Sequence, residues 1–195
     1  MAIAMKNKSG AGPKDVPEAG THLARLVGIV DLDHQPGFEW QGEQIESQYK
    51  VTFTYELCNS MTKDGKPHWV SEDFKVSDHE RSNMFARVGA MDPNGSLTHS
   101  GQDLSGLIGA PCMVEVKLNP KGYSKVHNVS GAPAGFPVPE LVNPSFVFDF
   151  ESPDMGVYTK LPEFVQDKLK SSLNYEGSAL HTAIVAEGDT DGKAY

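Results

Sequence analysis

Two kinds of side chain in this sequence could act together on a ligand: flat aromatic rings, and cationic side chains set beside them at strand spacing. In the stretch 68–77, Trp69 and Lys75 fall on the face opposite Val70, Phe74 and Val76. In 48–57, Lys50 lies opposite the row Tyr49, Val51, Phe53, Tyr55 and Leu57. Tyr123, Lys125 and His127 share one parity in 123–130, and Lys121 sits in the turn before them. Arg25 points outward in 21–32 if Leu26 and Val30 face inward, and Trp40 follows Phe38 in a polar, turn-rich loop. Outward rings offer platforms on which bases stack, at roughly 1–3 kcal/mol per base, and the cations offer partners for phosphates. Lys50, Trp69 and Lys75 are the central candidate contacts for a single nucleic-acid strand. Arg25, Trp40, Lys121, Tyr123 and Lys125 stand in the second rank.

Each of these residues also has a plainer reading. Trp69 could pack at a strand start, Phe38 and Trp40 could fold onto their own barrel, and Tyr49, Phe53 and Tyr55 read as core. Any one lysine is, on composition alone, a solvated side chain. Only their coincidence with Trp69 and Tyr123 raises the binding reading.

The elements that would position these side chains follow from periodicity. Strand one runs through THLARLVGIVDL, residues 21–32, with Gly28 where a barrel strand can bend. Residues 33–47 form the loop to strand two, which spans 48–57 with one buried and one wet face. A turn at Asp64-Gly65-Lys66-Pro67 leads into strand three, and Ser77 with Glu80 three residues later fits a capping box opening a helix over 78–90. Strand four, 112–118, and strand five, 123–130, are joined by Asn119-Pro120-Lys121-Gly122. Three strands, a helix and a terminal hairpin is the connectivity of the OB-fold, whose binding surface is the face of strands two and three flanked by loops 1–2 and 4–5. Periodicity alone also suits another small barrel. The expected fold class is mainly β: a five-stranded OB-type barrel with a helix between strands three and four, plus a C-terminal extension with a short helix.

Residues 1–17 are small, polar and glycine-bearing and read as a flexible arm. The barrel domain covers 18–131. Pro133, Pro137, Pro139 and Pro144 make 131–146 an extended linker, so the extension over 132–195 reads as linker, short helix from Pro162 to about Ser171, and acidic tail. Residues 176–195 hold Glu176, Glu187, Asp189 and Asp191 against Lys193 and are too polar to pack.

With 17 basic and 26 acidic residues the net charge is −9, which excludes a uniformly basic glove for DNA. The acidity is densest after residue 130. Cys58 and Cys112 stand in or beside apolar alternating stretches and read as reduced core residues, as in a reducing cytosol. There is no apolar signal core near the N-terminus and no run approaching 18 apolar residues, so neither export nor a membrane is expected. No catalytic centre, metal or cofactor is expected either. The sequence has no phosphate-cradling Gly-rich loop with Lys-Ser/Thr, no Gly-x-Ser-x-Gly elbow and no His-Glu-x-x-His. Asp31, Asp33 and His34 read as loop, and His79-Glu80 as helix capping.

Three stretches in order, VPEAGTHLARLVGIVDL, DGKPHWVSEDFKVSDHERSN and LPEFVQDKLKSSLNYEG, resemble a family of bacteriophage single-stranded DNA-binding proteins with an OB-fold. The resemblance covers roughly residues 16–177. It implies a protein of the bacterial host's cytoplasm that coats exposed strands during phage DNA replication or recombination, with replication or recombination proteins as further partners of the acidic tail. The chain departs from it in its acidic barrel and its few N-terminal lysines. The alternative is a protein-interaction or virion structural module in which Trp40 and Trp69 hold a protein partner.

Overall fold

β-Branched and aromatic residues alternate with polar ones over most of the first 130 residues, and the chain accordingly forms strands there. The computed structural model describes residues 15–97 and 101–191. The strands are β1 (Gly20–Gln35), β2 (Phe38–Trp40), β3 (Glu43–Ile45), β4 (Gln48–Met61), β5 (Pro67–Lys75), β6 (Pro111–Leu118), β7 (Ser124–Gly131) and β8 (Phe146–Phe148). Helices α1 (Asn83–Met91), α2 (Met155–Tyr158), α3 (Glu163–Lys170) and α4 (Ala179–Asp191) and a 3-10 turn at Leu104–Leu107 complete the chain. The protein is mainly β. Its main sheet has six strands in the order β5-β4-β1-β6-β7, with β8 added parallel to β1, and β2-β3 form a separate hairpin.

β1 is the spine. Its first half pairs antiparallel with β6 (Gly20↔Val116 to Arg25↔Pro111), and most of its length pairs with β4 (Ala24↔Leu57 to Gln35↔Gln48). A register shift between Leu26 and Gly28 reverses the side-chain parity along the strand. Ala24, Leu26 and Ile29 therefore enter one core with Phe53, Tyr55, Leu57, Phe74 and the α1 residues Met84 and Val88. Val30 and Leu32 enter a second core with Phe148, Phe150, Tyr158, Leu161, Val165, Leu169 and Leu180. β1 is thus buried on both faces, and Val30 faces a different core from Leu26, contrary to simple alternation.

The edge strands β5 and β7 approach each other through side chains. Arg87 on α1 donates from Nε to Glu72 Oε1 on β5 at 3.1 Å and from Nη1 to Asn128 Oδ1 on β7 at 3.0 Å. Tyr55 donates to the same Glu72 carboxylate at 3.0 Å.

The helix predicted over 78–90 starts later, at Asn83, because Ser82 and not Ser77 caps it, its hydroxyl accepting from the Phe85 backbone N–H at 3.0 Å. Ser77 instead organises the preceding turn, accepting from His79 N–H at 3.2 Å. The expected loop 33–47 holds a hairpin. Gln41 and Gly42, both at positive φ (52° and 84°), turn the chain so that Trp40 pairs with Glu43.

The expected flexible arm falls mostly on 1–14, outside the described residues. At its end, Asp15 accepts from the Lys63 backbone N–H at 3.0 Å and contacts His68 Nε2 at 3.2 Å. The expected polar tail is corrected in its first part: residues 179–191 are helical, and Leu180 is fully buried in the second core. Its last residues, 192–195, lie outside the described residues. Both cysteines are free, and burial pushes the Cys112 thiol up to about 12.

Candidate nucleic-acid interface

The outer face of β4 and β5 is a ladder of four cross-strand pairs: Glu56↔Trp69, Thr54↔Ser71, Thr52↔Asp73 and Lys50↔Lys75. The sequence pattern predicts this face to be wet. The structure corrects that expectation, for Thr52, Thr54 and Glu56 are buried. The cover is the C-terminal extension. Leu161, Pro162, Phe164 and Val165, with Phe146 and Trp69, enclose a small cleft of ≈ 120 Å³ over Thr52, Thr54 and Ser71, and Lys168 pairs with Asp73 at 2.5 Å. The cover reaches the β4 side as far as Thr52, whereas Trp69, Ser71, Asp73 and Lys75 on the β5 side stay exposed and Lys50 is half-buried.

Two members of the predicted set, second-rank Arg25 and central Trp69, have other partners. Arg25, the cross-strand partner of Glu56, donates to the backbone carbonyls of Pro139 (2.7 Å), Val138 (2.9 Å) and Gly109 (2.6 Å) and pairs with Glu140 at 3.1 Å. It clamps the linker. Trp69 stacks at a tilt on Phe146, with centroids 5.6 Å apart, and keeps 37% exposure. Phe146 in turn stands on Gly28, where a Cβ would come within 2.1 Å of the ring, so only glycine admits it. The bend ascribed to Gly28 from sequence is also a seat for this aromatic plug.

At the open end the predicted residues do come together. Lys50 and Lys75 face one another across the strands, and among the described residues neither forms an ion pair. Like charges directly opposite are unfavourable in a sheet. Lys50 Nζ lies 5.6 Å over the Phe38 ring. Trp40, two residues on from Phe38 along the same hairpin strand, is 61% exposed. Of these two rings only Trp40 stands among the contacts expected from sequence; the structure adds Phe38, and Gly42 is the turn residue that marks the hairpin presenting both.

A second group sits on the β6–β7 hairpin. Asn119 shapes its turn, its Oδ1 accepting from the backbone N–H of Lys121 and Tyr123 at 2.9 and 3.0 Å. Tyr123 is 53% exposed, and Lys125 is the register partner of Lys117. His127 sits at the β6–β7 register shift, outside the paired rungs, and its backbone carbonyl accepts from Arg87 at 3.4 Å.

Beside the Lys50 rung lies an acidic flank. Tyr49 donates to Asp31 Oδ2 at 2.5 Å, and burial first, then the Asp31 carboxylate, raise the Tyr49 phenol far above its usual value. Asp31 itself is raised, chiefly by burial. Asp33, in the left-handed region (φ 56°), accepts from the Ser172 hydroxyl at 2.5 Å and Asn174 Nδ2 at 2.9 Å. Burial works against its ionisation, but these bonds and the His34 backbone N–H outweigh it and hold the carboxyl below the usual Asp value. A depressed acid stabilises the fold above its unfolded value, and that contribution disappears as pH falls through the folded one. Asp31, raised, acts with the opposite sign. The attachment of residues 172–174 should therefore weaken as pH drops below the ordinary Asp value of 3.8. Thermal melts of wild type and Asp33→Asn between neutral and acid pH check this: the variant should melt lower at pH 7 and show a flatter acid limb, whereas parallel curves would show that Asp33 carries no such linkage.

Among the described residues no group of three or more His, Cys, Asp and Glu is disposed to hold a metal, and no helix is long and apolar enough to cross a membrane. No protein-family model and no curated protein matches the chain.

Proposed function

We propose that this protein binds single-stranded DNA without reading its sequence, on an OB-type barrel whose strands three and five (β5 and β7) are joined by side chains through Arg87. The strand order β5-β4-β1-β6-β7 with α1 between β5 and β6 supports the barrel reading. The observation that carries the function is the Lys50/Lys75 rung: two opposed lysines with no acid partner among the described residues, next to exposed Phe38 and Trp40. Such a pair gains its favourable energy from an anion, and the rings supply stacking platforms. Tyr123, Lys121 and Lys125 form an accessory contact on the far hairpin, while Arg25 and Trp69 act by holding the C-terminal extension. In this proposal the protein coats exposed strands in phage DNA replication or recombination in the host cytoplasm, and its acidic C-terminal segment recruits partner proteins.

The test is a titration of labelled oligo-dT at several salt concentrations. Few cations face the strand, so the slope of log K against log salt should be shallow, about −1.4 to −2.8 for two to four phosphates. Lys50→Ala/Lys75→Ala should flatten it by about 1.4. Duplex bound as tightly as oligo-dT, or a slope unchanged by the double substitution, would refute the reading. A protein partner captured on Trp40 with no affinity for oligo-dT would favour the interaction-module alternative.

A further inference from the structure

The C-terminal extension covers the β4 half of the outer β4–β5 face, and it also brings its own ring and lysine to the boundary of what stays open. On α3, Val165 and Leu169 face the second core, which leaves Phe164, one position off that stripe, 55% exposed. Lys168, one helical turn later, holds its Nζ 5.5 Å over the Phe164 ring. The same ammonium pairs with Asp73, which lies two residues before Lys75 on the same strand face, about 7 Å away. Asp73 also accepts from the Thr52 hydroxyl at 2.8 Å. Without Lys168 its carboxylate would confront any phosphate held by Lys75. With it, the rung beside Lys50/Lys75 is neutral.

The geometry points to α3 as the second half of the single-strand path. We propose that Phe164 and Lys168 continue the row begun by Phe38, Lys50 and Lys75, so that one DNA strand runs from the β2–β3 hairpin across the lysine rung and onto α3. This rests on the reading given under Proposed function and adds the residues of a separate element to it. Two ring-and-lysine steps, Phe38 with Lys50 at 5.6 Å and Phe164 with Lys168 at 5.5 Å, flank the opposed lysines. Bases stack on the two phenyl rings, and Lys50 and Lys75 take the phosphates between them. Lys168 masks Asp73 and lends its remaining donors to the backbone.

The experiment uses the full chain with fluorescein-labelled oligo-dT and the variants Phe164→Ala, Lys168→Gln and Phe136→Ala. Phe136 serves as control because it is a ring of similar exposure, 57%, on the linker. Phe164→Ala should weaken binding between about fivefold and a hundredfold, the loss of one stacked base, measured at a temperature where melting curves show both proteins fully folded. Lys168→Gln should flatten the salt slope by at least about 0.7, a readout that a purely structural role would not move. Phe136→Ala should bind like wild type. In Phe164→Trp, the added indole should be quenched by oligo-dT beyond the quench seen in wild type. If wild type binds and Lys50→Ala/Lys75→Ala weakens it, yet Phe164→Ala binds normally and the new indole is silent, α3 lies outside the path and this proposal fails while the single-strand reading stands. If wild type does not bind oligo-dT, both fall.

Discussion

Glu56→Ala should lower the stability of the protein by about 3 kcal/mol and free the linker, because this fully buried carboxylate has its hydrogen-bond partners on the chain that covers it. It accepts from the backbone N–H of Val142 at 2.7 Å and of Asn143 at 3.0 Å, and from Asn143 Nδ2 at 2.7 Å. Trp69 Nε1 adds a long contact at 3.5 Å. Bonds to a charged acceptor contribute roughly 1.5–3 kcal/mol each, but removing the acid also recovers part of the cost of burying it, so the sum of the bonds overstates the loss. Glu56→Gln should recover less than half, since its amide nitrogen would face donors from which it cannot accept. Thermal melts give the loss, and limited digestion with thermolysin should cut near 138–142 faster in the alanine variant. Wild-type resistance there would mean that Arg25 and the β8 pairing hold the linker unaided.

Arg87→Ala is expected to cost more, about 3–5 kcal/mol, since it leaves the largely enclosed Glu72 carboxylate without its cation. The guanidinium reaches Glu72 through Nε at 3.1 Å and Nη2 at 3.4 Å, so the loss removes two contacts to β5 and the bonds to Asn128 and His127 on β7. In a chain of this size the melting temperature should fall by about 6–20 °C. The double substitution Arg87→Met/Glu72→Gln should regain much of that, as exchange of a whole ion pair for uncharged groups is far milder than removal of one partner. Urea unfolding separates the cases: an unchanged m-value with a lower midpoint means lost stability, while a changed m-value means that β5 and β7 have parted in the native state. A drop under about 1 kcal/mol would show that the edges hold together without Arg87.

Alternation in 48–57 places Phe53 and Tyr55 in the core correctly and the parity of 68–76 puts Val70 and Phe74 inside, whereas Tyr49 and Val76, assigned to the same faces, are exposed. The five long strands, their succession along the chain and the helix between β5 and β6 are legible from the local periods of two and 3.6, whereas the β2–β3 hairpin reads as loop. The same rule failed where the chain breaks its own period. The register shift at Leu26/Gly28 sent Val30 to a second core, and that at Glu115/Val116 set His127 apart from Lys125. Gly28 marks a bend at the first shift but not the change of parity it brings, and nothing in the letters marks the second.

What alternation cannot state is what lies on top of the polar side of a strand. Gln48, Lys50, Thr52, Thr54 and Glu56 read alike, as a solvated row. In the folded protein Glu56 and the threonines are buried beneath a segment about ninety residues later in the chain, while Lys50 stays near the open edge. That segment docks because Phe146 finds the missing side chain of Gly28, Arg25 and Glu56 meet linker backbone, and Leu161, Val165, Leu169 and Leu180 find Val30 and Leu32. Local period and composition therefore determine the five long strands, their succession along the chain and the inventory of rings and cations. Which of those rings and cations face solvent is decided by long-range packing of the C-terminal extension, because burial depends on the partner surface and each strand carries no record of its partner.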